Sequence, residues 1–123
     1  SQVVKLMIKK GITVNGASWL MLGITFKENC PDVRNTKIVD VVGALSDYGI
    51  TVTIYDPCAN PADVMHEYGL TTSNQRPTTT YDAVVLGVAH KEFTALDLTS
   101  MQKENSVLYD VKGVLGNEVD GKL

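Results

Sequence analysis

Apolar positions along the chain follow two rhythms. Val3, Val4, Leu6, Met7 and Ile8 cluster ahead of Lys9, Lys10 and Gly11. A helix ends this way, with cations at the negative end of its dipole and a glycine turning the chain out. Ile38, Val41, Val42, Leu45 and Tyr48 recur at helical spacing, with Asn35 or Thr36 placed to cap and Gly49 to terminate. The second rhythm is unbroken. Trp19–Thr25, Thr51–Tyr55, Ala83–Val88 and Val107–Val111 are short apolar or β-branched runs, the signature of strands buried on both faces. Pro61 opens a short helix through about Tyr68, closed by Gly69, and Leu70–Thr72 reads as a minor strand. Residues 73–80 form a polar loop, and a helical turn is expected around Phe93–Leu98. Strands alternating with helices predict βαβ units with right-handed crossovers, hence an α/β fold built on a doubly wound, mainly parallel sheet in a three-layer sandwich.

A length of 123 residues fits one domain. The first helix has no N-terminal cap and starts at residue 1, which suggests a piece of a longer chain. With 11 basic and 14 acidic residues there is no basic stripe, so neither nucleic acid nor an anionic membrane is a favoured partner. No apolar run reaches the length of a membrane span, and a cytoplasmic domain is expected. Cys30 and Cys58 lack C-x-x-C spacing, and neither His66 nor His90 stands at metal-ligand spacing from them, so no metal is expected.

In an open parallel sheet, ligands bind beyond the carboxyl ends of the strands. Three loops leave those ends, at residues 25–35, 87–93 and 110–116, with Asp56-Pro57 closing the neighbouring strand; Asp56 is expected to cap or turn the chain. The first loop is the richest. Lys27 and Arg34 supply cations beside the start of the next helix, where free N–H groups attract anions. On charge alone, mutual pairing of Lys27, Glu28, Asp32 and Arg34 is the more economical reading. A G-x-G-x-x-G between the first strand and helix would mark a dinucleotide site. Gly23 stands alone there, so NAD is not expected to bind these residues.

The run Gly23-Ile24-Thr25-Phe26-Lys27, followed by Asp32-Val33-Arg34-Asn35-Thr36, resembles the signature of the UDP-glucose/GDP-mannose dehydrogenase family in its C-terminal, UDP-sugar-binding domain. Tyr55-Asp56-Pro57 and Asp110-Val111-Lys112 belong to the same pattern. The wording around Cys30-Pro31 and His90 resembles the branch acting on UDP-N-acetylhexosamines, such as the mannosamine and galactosamine forms. The resemblance covers essentially the whole chain. It implies a Rossmann-like fold, with residues 1–16 as the tail of a preceding helical region and 17–123 as the UDP-sugar-binding domain. It further implies an NAD-dependent oxidation of the sugar C6 alcohol to a carboxylate for surface polysaccharide. The NAD domain and the catalytic cysteine would lie outside these residues, and the fragment would be inactive alone. Phe26, Lys27, Arg34, His90 and Lys112 are the implied substrate contacts, with Arg34 equally able to serve as a loop brace on Asp32. UDP or a UDP-N-acetylhexosamine is the implied ligand, and a homo-oligomer the implied state of the intact enzyme. Cys30 does not match the nucleophile's motif. The alternative is an assembly module of the same enzyme without ligand binding of its own, self-associating through the Val3–Ile8 stripe.

Overall fold

The computed structural model describes residues 2–34, 36–116 and 119–122. Strands β1 (Ser18–Leu22), β2 (Thr51–Tyr55), β3 (Thr72–Ser73), β4 (Tyr81–Leu86), β5 (Gln102–Asp110) and β6 (Gly121–Lys122) form one sheet in the order β3-β2-β1-β4-β5-β6. Every neighbouring pair is parallel. Helices α1 (Gln2–Lys9), α2 (Thr36–Asp47), α3 (Pro61–Tyr68) and α4 (Lys91–Thr94), with a 3-10 turn at Leu98–Met101, cover the two faces. This is the doubly wound order, in which the chain reverses its direction of travel between β1 and β4.

Strand alternation makes the two cores. Trp19, Met21, Ile54, Val85 and Tyr109 face a layer built from Val3 and Met7 of α1, Ile38, Val42 and Leu45 of α2, and Val64 of α3. Leu20, Leu22, Tyr55, Leu86 and Leu108 face the other way, onto Phe93, Leu98 and Met101. Each of these large apolar side chains, once buried, stabilises the fold by about 1.5–3 kcal/mol. Both faces of every central strand are needed, which is why the strands read as continuous apolar runs.

Several boundaries differ from the sequence pattern for identifiable reasons. β1 ends at Leu22 rather than Thr25, because Gly23 takes φ +99° and leaves the plane of the sheet. β5 begins at Gln102, where exposed polar residues hide the strand from a hydrophobic reading. β6 was not anticipated. Asp120 starts it, its N–H donating to Leu108 O at 2.8 Å and its carboxylate accepting from Leu108 N at 2.7 Å. The turn expected around Phe93–Leu98 comes as two pieces, α4 and the 3-10 turn. Helix α3 runs as expected, opened by Pro61 and closed by Gly69 in the left-handed conformation; Asn60, which the sequence reading does not name, caps it by accepting from Ala62 N–H. Asn35 and the Thr36 side chain, expected to cap α2, lie outside the described residues.

The α1 stripe that an assembly role would leave exposed is largely folded in. Val3 and Met7 are buried, and the Trp19 indole N–H donates to Met7 Sδ at 3.2 Å. Only Ile8, 63% exposed, faces outward among the large apolar residues of α1. Lys10 ties the end of the helix to Ser106 O and to Asp120, each at 2.6 Å. No helix among the described residues is long and apolar enough to cross a membrane.

Candidate functional site

Register brings Leu22, Tyr55, Leu86 and Asp110 to one level, so the loops leaving β1, β2, β4 and β5 gather on one rim. At the reversal point Gly87 and Val88 both donate to Leu22 O, at 2.9 and 3.2 Å, while Gly23 N–H reaches Tyr55 O at 2.9 Å. This close approach requires Gly23: a Cβ there would stand 2.5 Å from the Val88 Cβ.

The centre of the rim is Asp56, wholly buried. One carboxylate oxygen accepts from the backbone N–H of Ile24 and Thr25, at 2.7 and 3.1 Å. The other accepts from Cys58 and Ala59, at 2.8 and 3.1 Å. His90 Nε2 lies 3.0 Å from both oxygens. Burial alone would raise the Asp56 pKa, but the His90 hydrogen bond and the backbone donors outweigh it and hold the carboxyl below its usual range. Asp56 therefore joins the β1 and β2 exits and orients the ring arriving from β4.

His90 is equally buried. Its Nδ1 accepts from the backbone N–H of Asn29 at 2.8 Å, so the ring proton of the neutral imidazole sits on Nε2, facing Asp56 and Thr25 Oγ1 at 3.0 Å. Thr25 Oγ1 in turn donates to the Lys27 carbonyl at 3.1 Å. The Asn29 side chain accepts from Lys91 N at 3.1 Å, and its backbone takes φ +56°, left-handed for a residue with a side chain. Phe93 packs on the imidazole, centroids 5.2 Å apart.

Among the residues expected from the sequence, the structure brings together Phe26, Lys27 and His90. Phe26 and Lys27 form the exposed tip of the loop whose two ends His90 holds, and Phe26 is 61% exposed. His90 itself has no exposed surface, and both its nitrogens are engaged. Lys112 is exposed on the loop after β5, two strands from β1. That loop is wound around Asp110, whose carboxylate accepts from the N–H groups of Lys112, Gly113 and Leu115 at 3.0, 2.8 and 2.7 Å. Arg34 turns the other way. It makes a forked pair with Asp32, closest at 2.7 Å, and lines an open cleft of about 270 Å³ against Asp63, His66 and Glu67 of α3. Hydrogen bonds from Arg34 lower the Asp32 carboxyl to about 2. The sequence reading names Thr25 and Asp110 only as members of the family pattern, with no role of their own, does not single out Asn29, and gives Asp56 only a capping role; their distant partners carry no local signal.

Asp56, Cys58 and His90 place potential metal-ligand atoms within 4.8 Å of one another. The donor set does not suit an ion. Four N–H groups occupy the carboxylate, the Asn29 N–H occupies Nδ1, and the Nε2 proton is directed at Asp56 itself. Burial, then Glu92 and Asp56, pushes the Cys58 thiol up to about 11. The cluster is a hydrogen-bonded brace.

The fold and its rim define a doubly wound α/β domain with its loops assembled at the reversal point. Comparison with known proteins makes the class specific. The family model described as UDP-glucose/GDP-mannose dehydrogenase family, UDP binding domain, matches residues 20–117, and the chain belongs to this family. It is 46% identical over 121 residues to a UDP-N-acetyl-D-glucosamine 6-dehydrogenase of Pseudomonas aeruginosa, covering 96% of this chain and 29% of that protein. Protein CapL of Staphylococcus aureus is 34% identical over 120 residues, covering 96% of this chain and 28% of CapL. In three dimensions the chain resembles an NDP-N-acetyl-D-galactosaminuronic acid dehydrogenase from Methanosarcina mazei Go1, with a TM-score of 0.77 at 23% identity, covering 91% of this chain and 24% of that one. The chain thus spans less than a third of the curated relatives it matches.

Proposed function

We propose that these residues are the UDP-sugar-binding part of an NAD-dependent UDP-N-acetylhexosamine 6-dehydrogenase, which oxidises the sugar C6 alcohol to a carboxylate for surface polysaccharide. The observation that carries the reading is the match to the family's UDP-binding region over residues 20–117, a stretch that contains the loops leaving β1, β2, β4 and β5. On this reading Lys27 and Lys112 flank the β4 exit. Strands lie about 4.8 Å apart, so two strand steps separate the two loops by roughly 10 Å, a span that a diphosphate and its sugar bridge. Lys112 acts as a point charge, where an arginine would have supplied a planar fork. Phe26 offers an apolar face beside Lys27. Arg34 braces the loop through Asp32, and the carboxylates of Asp63 and Glu67 in the cleft that it lines disfavour an anion there. NAD binds in a part of the enzyme outside these residues, since the loop after β1 has one glycine and then bulky side chains where a dinucleotide motif would need three glycines. Residues 1–16 are then the end of a preceding helical region and 17–123 the UDP-sugar domain of a cytoplasmic homo-oligomer.

Amide NMR titration of the chain with UDP, UDP-N-acetylglucosamine and NAD tests this. Both uridine ligands are expected to shift amides in 24–34, 87–92 and 110–115, with Lys27→Ala and Lys112→Ala each weakening UDP binding about tenfold, the weight of one charge-assisted contact. NAD is expected to shift none. Shifts from NAD alone would reverse the assignment.

A further inference from the structure

The loop after β1 presents an unusual combination. Its tip, Phe26-Lys27-Glu28, is exposed, yet the residues on either side are tied into a polar cluster whose Asp56 and His90 are wholly buried. On one side Thr25 Oγ1 meets His90 Nε2 at 3.0 Å and fixes the Lys27 carbonyl at 3.1 Å. On the other, Asn29 N–H meets His90 Nδ1 at 2.8 Å, and the Asn29 side chain accepts from Lys91 N. One imidazole therefore grips both ends of a five-residue loop. Asp56, held by four backbone N–H groups, fixes which nitrogen carries the proton, so Nδ1 is left as the acceptor that Asn29 requires. A phenylalanine held out in water gains nothing for stability, so a rigid mount under it is explained by what the tip meets.

We propose that His90 is a positioning residue: a buried two-sided latch, with Asp56 setting its tautomer, that holds the Phe26-Lys27 tip in its ligand-receiving conformation. The latch acts by removing ordering cost. A tip already fixed does not have to surrender backbone and side-chain freedom when a ligand arrives. The consequence for affinity rests on the reading of the ligand as a UDP-sugar; the consequence for the loop does not.

The test uses the full chain, with hydrogen–deuterium exchange of peptides spanning 24–30, calorimetric titration with UDP, and thermal melting of each variant. His90→Leu removes both ring hydrogen bonds and is expected to speed exchange at 26–29 at least tenfold and to weaken UDP binding about tenfold. His90→Gln offers a carbonyl oxygen to Asn29 and an N–H to Asp56, and is expected to restore most of both. A merely structural histidine would lower the melting temperature of His90→Leu while leaving the affinity of the folded protein unchanged, and that result overturns the proposal. So does unchanged exchange at 26–29. Should His90→Leu not fold, Thr25→Val opens one side of the latch at nearly constant volume, with a three- to fivefold loss expected and no loss overturning. If the wild-type chain itself ignores UDP, the functional reading falls, and exchange at 26–29 alone decides whether the latch exists.

Discussion

A carboxylate without access to water must find its solvation inside the protein, and Asp56 finds it in four backbone N–H groups and an imidazole. Asparagine in its place keeps the size but replaces one acceptor oxygen with a donor NH2, which then confronts two N–H groups. Asp56→Asn is expected to lose about 3–5 kcal/mol in urea unfolding at pH 7, the usual cost of breaking a buried charged network. The pH dependence follows from the direction of the shift. The native carboxyl titrates below its ordinary range, so its contribution is fully present above about pH 4, the unfolded value, and is lost as pH falls through the lower native one. The wild type should therefore lose stability steeply from pH 4 downward, and the Asn variant should show a shallower acid slope. Equal slopes would mean that Asp56 is not the carboxylate that matters. Little of this is legible in the sequence. An Asp-Pro after a β-branched run announces a turn, but the partners of Asp56 lie up to 34 residues away, and no local pattern encodes that distance.

Elements were far more legible than residues, for a physical reason. A strand covered on both faces must be apolar at nearly every position, so β1, β2 and β4 announce themselves, and the opening proline and terminal glycine of α3 are local chemistry. What escapes is whatever depends on a neighbour: the polar start of β5, and β6, which exists because Asp120 pairs with Leu108. Gly23 shows the same limit. In the sequence it is the lone glycine where a dinucleotide motif would need three; in the structure it is the point where the β1 and β4 exits pass at contact distance. Gly23→Ala faces two penalties, a left-handed φ of +99° and a Cβ 2.5 Å from that of Val88. We expect a loss of about 2–4 kcal/mol in urea unfolding. Trimming the neighbour separates the two penalties. In a double-mutant cycle, Val88→Gly, which removes both the Cβ and the Cγ2 that the new methyl meets, should be far less damaging in the Gly23→Ala background than in the wild type, because it relieves most of the steric part and leaves the backbone strain. Strict additivity would show that the approach is not tight.

At the scale of the molecule the question is whether α1 belongs to the same cooperative unit as the sheet. On the functional proposal residues 1–16 come from another region of the enzyme. By packing α1 is part of the core: Met7 is fully buried, its sulfur accepts the Trp19 N–H, and Lys10 reaches Ser106 on β5 and Asp120 just before β6. A boundary in the chain need not be a boundary in the core, and unfolding distinguishes the two. If α1 is integral, Met7→Ala opens a cavity under Trp19 and costs about 2–5 kcal/mol. The tryptophan fluorescence of the centre and the far-UV circular dichroism of the whole should then still lose their signals at one shared, lowered urea midpoint. If α1 is only leaning on the sheet, the same substitution releases the helix alone. Fluorescence would then change in a shallow early step while the dichroism transition stays near the wild-type midpoint. The burial of Val3 and Met7 beside Trp19 leads us to expect the single transition, and with it a first helix that belongs to the cooperative unit of the sheet it covers.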